Sequence, residues 1–317
     1  MIRTEAMSAE ALRTCLSRAE PLRDLVLVAG DYRDIDLTGA RLERIDARGA
    51  LFCGANLSGS YWRGCTLDHA DFSGCQFNGV VLTDCTLDST TFKGASLNNG
   101  RWLRTRSSSV DFSQARLTGI SFIEGVFDAQ VLVGTTVGLC QWDACSFTEL
   151  EAAAVDWRQV RFTHCCFASA HFEHARLEQC AFDESTFEGA DFSAASALST
   201  SFYRCKGDRM SFASAKLNQA IFSEAQFPAA DFTGACLERA NLNKADVTGG
   251  VFTGASLQYA QCQDMKATQA SFVAANLTGT DFHSAELEGC DWRNANRESI
   301  RPEDSERLAA QRWQPTL

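Results

Sequence analysis

No stretch of 18 apolar residues occurs anywhere in this 317-residue chain, so nothing in it reads as a membrane-crossing helix. The opening residues, Met1-Ile2-Arg3-Thr4-Glu5, contain no apolar run, which argues against a secretory signal and for a cytoplasmic protein. No glycine-rich loop leads from a strand into a helix, the arrangement a phosphate cradle needs. Aspartates and histidines are scattered along the chain, so an acid–base pair in a cleft has no support and neither an enzyme nor a cofactor is expected. A net charge of −11 disfavours direct nucleic-acid binding. The apolar pattern also lacks both common periods, the 3.6 of a helix and the 2 of a strand.

What the chain has instead is a period of five. All 22 phenylalanines, from Phe52 to Phe282, fall on positions whose number leaves remainder 2 on division by 5. Trp62, Trp102, Trp142, Trp157 and Trp292 obey the same rule. Of the 55 such centres between Leu22 and Trp292, 48 are large and apolar; Ala47, Ser107, Ala152, Ala197, Gly207, Cys262 and Ala267 are the exceptions. The residue two before each centre is usually small, as at Ala40, Ala50, Cys65 and Ala70, and the other three positions are mostly polar. Two residues in five therefore point inward. A tandem repeat of this kind decides the fold before any local propensity does. Reading every twentieth residue sorts the centres further. One column runs Phe52, Phe72, Phe92, Phe112 and a neighbouring one Leu37, Leu57, Phe77, Leu97, as expected for like side chains stacked on a four-sided coil.

Stretches such as Ala70-Asp71-Phe72-Ser73-Gly74 and Ala240-Asn241-Leu242-Asn243-Lys244 resemble the pentapeptide repeat family, whose motif is Ala-Asp/Asn-Leu-X-X. The resemblance covers about residues 22–292. It implies an all-β solenoid, a right-handed quadrilateral parallel β-helix in which four pentapeptides form one coil. About 14 coils at a strand spacing of ~4.8 Å would give a length of roughly 65 Å. The expected organisation is an N-terminal helical cap over 1–21, the repeat over 22–300 and a C-terminal helix or tail over 301–317. Ser8 is placed to cap a helix carrying Leu12, Cys15, Leu16 and Ala19 on one stripe. A second helix is expected over 302–313, and Leu308 and Trp313 are its candidates for oligomerisation. In the family such a helix often joins two molecules end to end, so a homodimer through the C-terminal end is a further expectation.

Nine of the 14 cysteines occupy the small inward position and read as reduced core thiols. The cluster His164-Cys165-Cys166 with His171 and His174 has suggestive spacing, but the coil geometry sends these side chains to different faces, and no metal is expected. Gly207 and Ser107, on one face, mark the coils expected to be weakest.

Charge is the remaining signal. One outward column holds Asp31, Asp71, Asp111, Glu151, Asp191, Asp231 and Asp291; the column three residues earlier holds Asp68, Asp88, Asp128, Glu188, Asp208 and Glu288. All but Asp31 are the partner-binding candidates. The first column agrees with the Asp of the family motif, which bonds turn backbone; the second lies after the centre, where the motif is unconstrained. The resemblance implies a non-catalytic protein-interaction scaffold or accessory protein, some family members being secretion-associated. The alternative is an electrostatic mimic of DNA: quinolone-resistance members of the family bind DNA gyrase as acidic rods. Against it stand 24 arginines, including Arg101, Arg104 and Arg106.

Overall fold

The computed structural model describes residues 6–18, 21–128, 130, 132 and 134–301. The chain divides into two compact units, Met1–Phe167 and Ala168–Leu317. Each unit is a parallel β-solenoid in which residue i pairs with residue i+20.

Unit 1 opens with a helix, Ala9–Leu16, in which the Ser8 hydroxyl accepts the Ala11 N–H and Leu12 is buried. On one face, eight short parallel strands then stack in the order Leu22–Arg23, Arg41–Glu43, Tyr61–Arg63, Val81–Thr83, Arg101–Leu103, Ser121–Ile123, Gln141–Asp143 and Arg161–Thr163. This is the first face. On the second face Arg106–Ser108 pairs with Val126–Asp128, and on the fourth Arg116–Thr118 pairs with Thr136–Gly138. The third face is held by bridges such as Asp31 with Leu51 and Leu51 with Asp71. In unit 2 all four faces are held by single bridges repeating at twenty residues, for example Asp191–Ser211, Ser196–Lys216, Ser201–Ile221 and Lys206–Gln226.

The centres fill the interior as the period of five requires. In unit 2 the rings of Phe172, Phe192, Phe212, Phe232, Phe252, Phe272 and Trp292 form one ladder, with centroids 4.7, 5.2, 5.0, 4.8, 5.0 and 4.6 Å apart and planes within 19° of parallel. In unit 1 Tyr32, Phe52, Phe72, Phe92 and Phe112 stack at 5.3, 5.0, 5.2 and 5.5 Å. Such offset stacks bury large apolar area and add ring–ring attraction.

The corners repeat as strictly as the centres. Every described residue with positive φ sits two after a centre, and 16 of those corners are glycine, the residue for which the left-handed conformation is cheapest. The cysteines of the small slot are free, and all but the half-buried Cys290 are buried. Burial holds the Cys75 thiol up at about 12.

The two expected weak points differ. At Gly207 a Cβ would lie 2.7 Å from Met210 Sδ: the thioether has taken the missing side chain's place. At Ser107 nothing apolar is substituted. Its hydroxyl donates to the Val126 carbonyl at 3.0 Å, while the buried Trp102 Nε1, Thr105 Oγ1 and Gln130 Oε1 have no hydrogen-bond partner among the described residues.

Candidate functional site

The acidic columns are explained by a count of backbone donors in one pentapeptide. In Ala55-Asn56-Leu57-Ser58-Gly59, Ala55 N–H donates back to the Phe52 carbonyl at 2.9 Å, Asn56 N–H to Ile35 at 3.0 Å, Leu57 N–H to Gln76 at 2.8 Å and Gly59 N–H to Asn78 at 2.8 Å. Only the N–H just after the centre, that of Ser58, lacks a backbone acceptor. It donates instead to Asn56 Oδ1 at 3.1 Å.

The first column supplies that local acceptor. Asp71, Asp111, Asp191 and Asp231 receive the N–H two residues on, from Ser73, Ser113, Ser193 and Thr233, at 2.7–2.8 Å. Asp291 does the same for Arg293 at 3.1 Å and also meets its guanidinium. Asp31 meets Arg33, whose guanidinium holds the carboxyl down at about 2. Glu151 is exposed. This is the motif's turn chemistry.

The second column does the same work from one coil away. Asp68 Oδ1 accepts the Asp88 N–H at 3.0 Å, Asp88 Oδ1 accepts that of Ser108 at 2.9 Å and Glu188 Oε2 that of Asp208 at 3.3 Å. Asp128 receives the Thr148 N–H, and burial nonetheless holds its carboxyl above the ordinary range. The residues before the corresponding centres are Thr86, Arg106, Ser146 and Lys206, none of them a carboxylate or amide. Where that residue is Asp46 or Asp246, the local bond forms, to Arg48 and Thr248, and no acid follows the centre. Asp208 faces Pro228, which has no N–H to give; its carboxylate lies 3.7 Å from Arg209. Glu288 is exposed. The sequence signal was present: a residue other than a carboxylate or amide before a centre, with an acid eighteen residues earlier.

Nine of the twelve candidates spend an oxygen on the backbone, Glu151, Asp208 and Glu288 being the others, and all the side chains are exposed or half-buried. Unit 1 therefore presents Asp68, Asp71, Asp88, Asp111, Asp128 and Glu151, and unit 2 presents Glu188, Asp191, Asp208, Asp231, Glu288 and Asp291. Arginines pair with acids inside the columns, Arg293 with Asp291 at 2.6 Å and Arg209 with Glu188 at 3.8 Å, and elsewhere: Arg44 with Asp24 and Arg104 with Asp84, both at 2.7 Å, and Arg204 with Glu224 at 2.8 Å. The Arg101, Arg104, Arg106 cluster is dispersed, with Arg101 on the first face, Arg104 at a corner and Arg106 on the second face. In unit 2 Arg204, Lys206, Lys244 and Lys266 line a shallow groove together with Glu184, Glu224 and Asp246.

His164 Nδ1 lies 3.2 Å from Asp143 Oδ1 and His171 Nδ1 3.1 Å from Glu173 Oε1. Among the described residues, no group of three or more His, Cys, Asp or Glu is arranged to hold a metal ion, and no helix is long and apolar enough to cross a membrane. Leu308 and Trp313 lie outside the described residues.

Five-residue rungs, a small inward slot and an Asx-capped corner define a pentapeptide solenoid. A family model described as pentapeptide repeat region matches residues 55–132 and 175–250, and one described as pentapeptide repeats (8 copies) matches 33–67, 235–273 and 275–296. The chain belongs to the pentapeptide repeat family. It is similar in fold to HetL, a pentapeptide repeat protein involved in heterocyst differentiation regulation from the cyanobacterium Nostoc, at 17% identity over 93% of this chain and 96% of that one, with a TM-score of 0.22. It is similar also to QnrB1, a plasmid-mediated fluoroquinolone resistance protein, at 15% identity over 92% of this chain and 97% of that one, with a TM-score of 0.30. A thylakoid-lumen pentapeptide repeat protein of Arabidopsis thaliana matches at 25% identity over 37% of this chain and 68% of its own, with a TM-score of 0.15. A search of curated proteins gave no match.

Proposed function

We propose that the chain is a non-catalytic protein-interaction scaffold whose acidic columns dock a basic protein surface. The observation that carries this reading is geometric. Most of the carboxylates are fixed by backbone hydrogen bonds, as Asp68 and Asp88 are by the N–H groups one coil on, so their charge is held in place before a partner arrives. Pre-ordered charge loses less side-chain entropy on binding than mobile charge, and charge complementarity favours fast, specific encounter.

The same hydrogen bonds supply a clean test. Replacing Asp68, Asp88 and Asp128 with Asn and Glu188 with Gln removes charge and keeps an oxygen acceptor for each N–H. Partner retention should fall in the amide variant while its melting temperature stays close to wild type, and binding should weaken with salt, since exposed charges are screened beyond about 10 Å at 0.1 M. Retention that survives both changes removes the columns from the mechanism. Purified DNA gyrase separates the DNA-mimic reading: a mimic inhibits supercoiling and loses that effect on neutralisation, whereas a scaffold for another protein leaves supercoiling unchanged.

A further inference from the structure

The first face of unit 1 has a character of its own. Its outward residues before the centres run Arg41, Tyr61, Val81, Arg101, and those after the centres include Arg63, Leu103 and Ile123, all in register along the eight-stranded sheet. Arg41, Arg63 and Arg101 are exposed, while Tyr61, Val81, Leu103 and Ile123 are half-buried. Within the described residues none of these three arginines has a carboxylate within 4 Å: Glu43 is taken by Arg23, Asp24 by Arg44 and Asp84 by Arg104. An apolar, tyrosine-bearing centre framed by arginine forks has the composition of an interface hot spot.

The spacing names an occupant. Arg41 and Arg63 stand on adjacent coils, and Arg101 stands two coils further on. On the second face Asp68 and Asp88 stand on adjacent coils, and Asp128 stands two coils further on. Two solenoids with the same rise per coil keep such columns in step, which a partner of different pitch cannot do over four coils. Between the acids the second face carries the exposed Arg106 beside Ser108, with the corner serines Ser89 and Ser109; the serines are small enough to admit Tyr61 and Leu103 of a facing surface.

We propose that the arginine face of unit 1 docks side by side on the acidic column of a second copy of this chain, with Arg41, Arg63 and Arg101 opposite Asp68, Asp88 and Asp128 of the neighbouring molecule. The contact is heterologous, so it leaves one free face and one free column on the pair and can continue beyond two copies. Guanidinium–carboxylate forks supply direction. The proposal rests on the acidic column having a binding role, but an outside partner can occupy that column whether or not copies pair.

Sedimentation velocity of the full chain at tens of micromolar tests it. In salt of about 0.05 M the average sedimentation coefficient should rise with concentration, and in about 1 M salt, where the screening length is about 3 Å, the rise should vanish. Arg41→Glu/Arg63→Glu/Arg101→Glu should sediment as a monomer at low salt, and so should Asp68→Lys/Asp88→Lys. An equimolar mixture of the two should associate again, because each face then meets the opposite charge. If the lysine variant melts early, Asp68→Asn/Asp88→Asn, which keeps the backbone acceptors, should still weaken association at least tenfold. A wild-type chain that remains monomeric at low salt overturns the proposal, as does association unaffected by the arginine changes. Either result leaves binding of a basic outside partner to be judged by its own salt dependence.

Discussion

All the strands longer than a single bridge lie in unit 1; among the described residues unit 2 has none. The difference lies in the small inward slot. In unit 2 that slot is mostly alanine, and its N–H closes a tight corner onto the centre carbonyl three residues back, at 3.0 Å for Ala215, Ala220, Ala235 and Ala240. The bond is longer at Thr200, 3.3 Å, and Met265, 3.4 Å, although Thr280 keeps it at 3.0 Å and Ala230 reaches 3.3 Å. In unit 1 the twelve strands are followed by Leu25, Ile45, Cys65, Cys85, Thr105, Val110, Ile120, Gly125, Gln130, Cys140, Cys145 and Cys165. At none of them is this corner bond formed. Extra atoms in the slot favour an outward corner, in which the turn bond is lost and the strand runs on for another residue. At Gly125 the Phe127 ring fills the slot. Slot volume biases the corner without deciding it alone, because Ile35, Cys75, Cys180 and Cys205 keep the bond at 3.1–3.2 Å, and so does Gly30, beside the Tyr32 ring, at 3.1 Å.

The comparison can be broken at the ladder first. Phe232→Ala removes a ring stacked on both sides in unit 2, and the neighbouring coils are too firmly bonded to close over it. It should cost about 3–5 kcal/mol, read by denaturant unfolding. Next, Ala235→Ile installs a unit 1 slot in unit 2. Overpacking should cost about 1–3 kcal/mol, and protection of the backbone amide at the substituted position from exchange should fall, since it loses its bond to the Phe232 carbonyl. An unchanged protection factor would show that slot volume does not set the corner.

A smaller effect separates the donor count from simple surface charge. Asp88→Ala strands the Ser108 N–H and should cost about 0.5–1.5 kcal/mol, whereas Asp88→Asn should be close to neutral. Exposure alone would make even the alanine change cost little; the hydrogen bond from the Ser108 N–H raises its cost. The smallest effect concerns Asp128, whose carboxyl burial raises. The folded chain then takes up that proton at a higher pH than the unfolded chain. The ionised group therefore subtracts from stability at neutral pH, and the loss is recovered as pH falls through the folded value. Asp128→Asn, keeping the acceptor for Thr148, should raise the melting temperature slightly at pH 7 and by less at pH 4.

The centres, the four faces and both acidic columns were legible by position, because stacking like on like writes itself into every twentieth residue. The work of the second column was not legible, because it depends on which N–H the ladder leaves over. Nor was the difference between Gly207 and Ser107. Both are gaps in one column, but a flexible methionine three residues after Gly207 closes the first, while the second is bordered by Thr105 and Gln130, whose buried polar atoms have no partner among the described residues. Amides near Ser107 should accordingly exchange faster than those near Gly207. The arginine face went unread because Arg41, Arg63 and Arg101 are far apart in sequence and become neighbours only when the coil is wound.

The twenty-residue register has a consequence for how such a chain can change length. Deleting or duplicating one full coil inside unit 2 returns every later side chain to its own column, so the phenylalanine ladder and the carboxylates survive, shortened or lengthened by one rung. Deleting a single pentapeptide, say 233–237, turns everything downstream by a quarter revolution. Phe252 would then stack on Phe227, and Asp246 would move from the second face to the first. Inheritance of a surface in this molecule is therefore counted in fours of the repeat, although the fold itself is counted in ones.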